Sequence, residues 1–69
     1  MVKPRELERV LFGLGFEKIR QKGSHVFYRH LDGRYTTIPH HPSRDISSSL
    51  LSKILKEIQL DKEEFKNLL

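Results

Sequence analysis

Four histidines, thirteen Lys or Arg side chains and no cysteine set the chemistry open to this 69-residue chain. Histidine titrates near neutral pH, so one imidazole can remove or supply a proton, while neighbouring Lys or Arg can hold a phosphate. The nine carboxylates are scattered, with no close pair to hold a hard cation. A zinc site from His30, His40 and His41 is disfavoured, because adjacent histidines on an extended segment point apart. There is no Gly-rich phosphate loop, no nucleophile elbow and no thiol nucleophile. What remains is proton transfer by histidine beside positive charge. RNA suits that equipment, since its 2′-hydroxyl is a built-in nucleophile. Cleavage then needs a base, positive charge for the developing phosphorane, and an acid for the leaving 5′-oxygen.

His25 is the best placed of the four. It follows Lys22-Gly23-Ser24, where Gly23 can take a positive φ without steric cost and Ser24 can bond its own backbone. Val26, Phe27 and Tyr28 come next, an aromatic and β-branched run that reads as a strand. A second turn signal, Asp32-Gly33, closes a hairpin onto Arg34–Pro39. His25 therefore sits at the rim of a sheet, on a rigid element near solvent. In such a hairpin Lys22, Arg29 and Arg34 supply the phosphate-binding charge.

The elements that position this hairpin follow from spacing. Pro4 suits a first helical turn, and Leu7, Val10, Leu11 and Leu14 form one apolar stripe closed by Gly15. Phe16 is expected to tuck beneath that helix. Strands are expected over Glu17–Gln21, His25–Leu31 and Arg34–Pro39. Along the second strand, alternate positions give His25, Phe27, Arg29 and Leu31 on one face and Val26, Tyr28 and His30 on the other. Neither set is cleanly apolar, so periodicity leaves open which face turns inward. Residues 40–46 read as a loop without regular pattern. A helix from a Ser47–Ser49 cap to Ile58 buries Leu50, Leu51, Ile54, Leu55 and Ile58. Asp61 with Glu64 starts a short final helix, Lys62–Leu69. The order is α-β-β-β-α plus a terminal helix, an α+β fold with a three-stranded antiparallel sheet and two helices on one face.

Composition sets the outer bounds. Residues 1–69 are expected to form a single small domain with no disulfide to staple it. Residues 1–44 carry nine Lys or Arg against four acids, and 45–69 carry four against five, so the +4 net charge is concentrated in the sheet region. That asymmetry suits a polyanionic partner and, on charge alone, equally a well-solvated basic surface. No apolar run approaches a membrane span and no signal-peptide pattern follows Met1, so a cytoplasmic location is expected.

The chain resembles the HicA (YcfA-like) family of small toxins from HicA–HicB toxin–antitoxin pairs. The likeness runs from Arg5-Glu6-Leu7 and Leu14-Gly15-Phe16 through Gly23-Ser24-His25, Tyr28-Arg29-His30 and Asp32-Gly33-Arg34. It continues in Ile38-Pro39-His40-His41, Leu50–Ile58 and Glu63-Glu64-Phe65. Ser47-Ser48-Ser49 departs from the Pro/Gly-containing approach to the last main helix in many relatives. The resemblance implies a fold like that of double-stranded-RNA-binding domains. It also implies a metal-independent endoribonuclease without cofactor, an mRNA interferase that arrests growth until a HicB-like antitoxin blocks it. The histidine of Gly-Ser-His is catalytic in the family, which points to His25, and the Pro-x-His pattern points to His41 as a second site position. With Lys22, Ser24, Arg29 and Arg34, His41 makes up the expected RNA-contacting set. Two other readings use the same residues: a non-catalytic RNA-binding module, and a domain whose exposed sheet face is covered by protein.

Overall fold

A computed structural model describes residues 2–69. The chain forms α1 (Pro4–Gly13), β1 (Glu17–Lys22), β2 (His25–Arg29), β3 (Tyr35–Pro39), α2 (Ser48–Glu57) and α3 (Lys62–Leu68). The strands make one antiparallel sheet in the order β1-β2-β3. This is the α+β, α-β-β-β-α order read from the sequence. β2 and β3 are each slightly shorter than expected. His30 and Arg34 are drawn into the turn between them, and Leu31 stands almost fully exposed.

α1 starts on Pro4, with the Glu6 carboxylate accepting from the Lys3 amide at 2.9 Å. Its end is a complete Schellman motif. Gly15 takes φ +96°, its amide donates to the Phe12 carbonyl, and the Phe16 amide donates to the Leu11 carbonyl. Phe16 is thereby folded back under the helix and is buried against Leu11. α2 is capped by Ser47, whose hydroxyl accepts from the Leu50 amide, and α3 by Asp61, which accepts from the Glu64 amide. α2 also ends in a Schellman motif, with Gln59 rather than glycine at φ +58°.

Which face of the sheet turns inward is settled by tertiary packing. Val26 and Tyr28 on β2 and Thr36 and Ile38 on β3 are buried, while His25, Arg29, Tyr35 and Thr37 are exposed. The core joins these side chains to Leu7, Val10 and Leu11 of α1, Ile54 and Leu55 of α2, and Phe65 of α3. Each fully buried aliphatic side chain contributes roughly 1.5–3 kcal/mol. Both main helices therefore lie on one face and the other face is bare. The edge strand β1 is exposed along its whole length and carries Glu17, Lys18, Arg20 and Lys22, charges that discourage edge-to-edge pairing.

Candidate active site

The β1–β2 turn that delivers His25 is a two-residue hairpin loop, because Lys22 pairs directly with His25. Gly23 has φ +59° and Ser24 does not share that sign, the pattern of a type II′ turn, whose twist matches the flanking strands. His25 is exposed, and its ring has no hydrogen-bond partner among the described residues. Lys22 lies across the ladder on the same face of the sheet.

The loop after β3 is more organised than its sequence indicated. The His40 amide donates to the Ser24 carbonyl at 2.7 Å, which prolongs the pairing beyond Pro39 and ties the loop to the Gly-Ser-His turn. His41-Pro42-Ser43-Arg44 is a β-turn closed by the Arg44 amide on the His41 carbonyl, with Pro42 in the position that proline favours. Ile46 is buried, and its amide donates to the Val2 carbonyl. Three anchors in seven residues hold His41 and Arg44 in place.

The product is a cleft of about 470 Å³ whose polar lining is His25, His41, Arg44, Asp45 and Ser47. The two rings stand edge to face, their centroids 6.4 Å apart. Ser47 caps α2, so the amide-rich, partially positive end of that helix borders the same cleft. A second depression of about 360 Å³ adjoins it through His41 and Arg44 and adds Lys3, Arg5 and His40. Two imidazoles beside several cations can exchange protons with a phosphodiester and hold its charge. Among the described residues no three His, Asp or Glu side chains gather as a metal site.

The other expected site residues divide. Ser24 adjoins His25, and Lys22 faces it. Arg29 is exposed at the opposite end of β2, pairing with Tyr35, whereas His25 pairs with Pro39. Four residues of strand put that end ~13 Å from His25. Arg34 lies beyond it and is already engaged: its Nε donates to Asp32 at 2.8 Å, its Nη1 donates to the Ile58 carbonyl, and its guanidinium lies 5.1 Å from the Phe16 ring centroid. The expected nearness of Arg29 and of Arg34 to His25 is therefore corrected. The Arg34 side chain clamps the β2–β3 turn to the end of α2. Asp32 is held below the usual carboxylate range, chiefly by the hydrogen bond it accepts from the Arg34 amide.

Arg44 and Arg5 were not singled out from the sequence, although Arg44 follows His41 by one turn. Also unforeseen is a polar cluster beneath the site. The Tyr28 hydroxyl donates to the Glu8 carboxylate, and His40 Nε2 lies 2.8 Å from the Tyr28 hydroxyl oxygen. Burial pushes the Tyr28 phenol far above its ordinary range, and Glu8 adds to the effect. The phenol proton is committed to Glu8, so His40 must donate through Nε2–H. Burial lowers the His40 pKa and so favours the neutral ring, outweighing the pull of Glu8 toward the charged form. Its Nδ1 lone pair is then left for another donor.

The class so defined is a small α+β protein whose helix-flanked antiparallel sheet carries an exposed histidine pair beside Arg44. The family model for the HicA toxin of bacterial toxin–antitoxin systems matches residues 4–60, so the chain belongs to that family and is a toxin whose partner is an antitoxin. A search of curated proteins finds no match.

Proposed function

We propose that this toxin is an endoribonuclease that cuts mRNA by proton transfer through His25. The observation that carries the reading is the His25–His41 pair, exposed and edge to face in a cleft bordered by Arg44. One imidazole takes the proton of the 2′-hydroxyl as its oxygen attacks the adjacent phosphorus. The other gives a proton to the departing 5′-oxygen. The products are a 2′,3′-cyclic phosphate and a 5′-hydroxyl. Lys22, Arg44 and the α2 N-terminus stabilise the charge that develops on the phosphorane. Ser24, Arg29 and His41 contact the RNA strand, Arg29 at a distance from the bond that breaks. In this scheme the nucleophile comes from the RNA and the protons from imidazole, so cleavage persists in excess EDTA.

A HicB-like antitoxin silences the toxin by covering this cleft rather than by unfolding it. Charge complementarity between an acidic partner and the rim of Lys3, Arg5 and Arg44 speeds the encounter. The test combines purified toxin, an mRNA substrate and the His25→Ala variant. Cleavage by the parent, loss of cleavage in the variant and retained antitoxin binding by both are the expected results. Equal cleavage by His25→Ala would refute the His25 assignment, whereas RNA binding without cleavage by the parent would leave the reading as a non-catalytic RNA-binding module.

A further inference from the structure

The bare face of the sheet has an order that the His25 chemistry does not use. Three rungs lie side by side on it: Lys22, His25 and Pro39; then Arg20, Phe27 and Thr37; then Glu17, Arg29 and Tyr35. Each rung carries a cation, and the second and third carry an aromatic ring. Tyr35 is 59% exposed, and its ring centroid lies 5.8 Å from that of Phe27. The Arg20 guanidinium lies 5.2 Å from the Phe27 centroid. At the far end a hollow of about 390 Å³ is floored by Ile19, Leu31 and Tyr35 and flanked by Arg29. Ile19, at the bulge between Lys18 and Arg20, is 47% exposed, and Leu31, in the β2–β3 turn, is 93% exposed.

The geometry points to this face as a stacking platform for single-stranded RNA, running from the Tyr35 hollow along Phe27 to His25. Successive outward positions on a strand are ~6.7 Å apart, a step comparable with that between nucleotides of an extended single strand. Bases stack on Tyr35 and on Phe27 or the Arg20 plane beside it. Phosphates meet Arg29, Arg20 and Lys22 in turn, and the strand reaches His25 at the end of the track. Glu17 is the one acid on the three rungs, and it sits across from Arg29. A duplex keeps its base faces inside its own stack and can offer these rings nothing. The interleaving of cations with rings favours a polyanion over a protein occupant, which would pair an apolar patch with an apolar patch. This inference deepens the RNA-cleaving reading and rests on it for the identity of the ligand.

The test uses the full chain with His25→Ala, so that RNA survives the titration. An unstructured mixed-sequence RNA oligonucleotide with a fluorescent end label, and the same oligonucleotide annealed to its complement, are titrated with protein and followed by anisotropy. Phe27→Leu and Tyr35→Leu keep apolar bulk on the strand but remove the ring, and circular dichroism checks that each folds. The expected result is single-strand binding that weakens roughly 5- to 100-fold with either substitution, is unchanged by Tyr35→Phe, and is at least tenfold tighter than duplex binding. Undiminished binding by both leucine variants overturns the platform, as does equal binding of duplex. Loss of antitoxin binding with RNA binding intact also overturns it and gives the face to protein. Cleavage by the chain with His25 intact is scored separately, so a failed platform and a failed nuclease assignment remain distinguishable.

Discussion

His25 opens β2 and His30 directly follows its last residue, and the two have opposite fates. The His25 ring is exposed, faces His41 and accepts or donates nothing within the described protein. The His30 ring is used at both nitrogens: Nε2 lies 3.1 Å from the Leu14 carbonyl, and Nδ1 accepts from the Asp32 amide at 3.0 Å. It also packs edge-on against Phe16. The same division separates Arg34, pinned to Asp32 and the Ile58 carbonyl, from Arg44 at the cleft. One end of the hairpin is a joint that fastens sheet to helices. The other is held rigid by the backbone, while its side chains stay available. Residue type does not assign the role here; the number of partners already satisfied does.

The sharpest way to break this comparison is to truncate both histidines. His25→Ala is expected to lower the cleavage rate by about 10²–10⁴-fold, the usual contribution of one acid–base group, with no change in the denaturation midpoint. His30→Ala is expected to do the reverse. It leaves the Leu14 carbonyl and the Asp32 amide without their ring partner, at a cost of about 1–3 kcal/mol in urea denaturation. The folded fraction of that variant should cut RNA at the parental rate. A large catalytic defect in folded His30→Ala would erase the distinction.

The arginine and lysine pair sharpens the same contrast at lower amplitude. Arg34→Ala removes hydrogen bonds made by a charged donor together with a ring contact, and should cost about 1–3 kcal/mol of stability. It should leave the salt dependence of RNA binding untouched. Lys22→Ala should leave stability within experimental error and reduce the log–log salt slope by roughly 0.7, one phosphate contact on a single strand. If the two variants exchange these outcomes, Arg34 belongs to the RNA surface after all.

Much of this arrangement was legible because it is local. Pro4, the Leu7–Leu14 stripe and Gly15 mark α1 within a dozen residues, and Gly23 and Gly33 mark the two turns by the φ they must adopt. The position of His25 followed from those turns. What the sequence left open depends on contacts between distant segments. Val26 and Tyr28 alternate with His25 and Phe27 in a pattern of mixed polarity, and only the helices packed behind β3 decide which set is buried. The acceptor that lets the Tyr28 hydroxyl turn inward is Glu8 of α1, twenty residues away in the chain. Arg34 reads as a free cation because its acceptor, the Ile58 carbonyl, is a backbone group at the end of another helix. Residues 40–46 lack any periodicity, since their order comes from separate bonds to Ser24, within the loop, and to Val2.

The smallest effect expected is on the pH dependence of stability, and it follows from the contrast between His40 and His41. His41 faces the cleft, whereas His40 is half-buried and donates to Tyr28 as a neutral ring. Burial lowers the His40 pKa in the folded state, so the unfolded chain binds a proton at this residue more readily than the folded one does. Stability from this group is therefore complete above the ordinary histidine pKa of ~6.5 and is lost as pH falls through it. Asp32 adds a second loss with the same sign at lower pH, because its folded carboxyl is also held below its ordinary range. Tyr28 works in the opposite direction. Its raised pKa means that stability falls only when alkali begins to ionise the unfolded phenol, above about pH 10. Urea denaturation of the parent and of His40→Gln at pH 7.5 and 5.5 isolates the first step, since glutamine keeps an N–H donor but cannot titrate. The parent should lose more stability on acidification than the glutamine variant, while neither differs in fold at pH 7.5. Equal losses in the two proteins would show that His40 is as solvated as His41, and that the Glu8–Tyr28–His40 cluster does not hold its ring neutral.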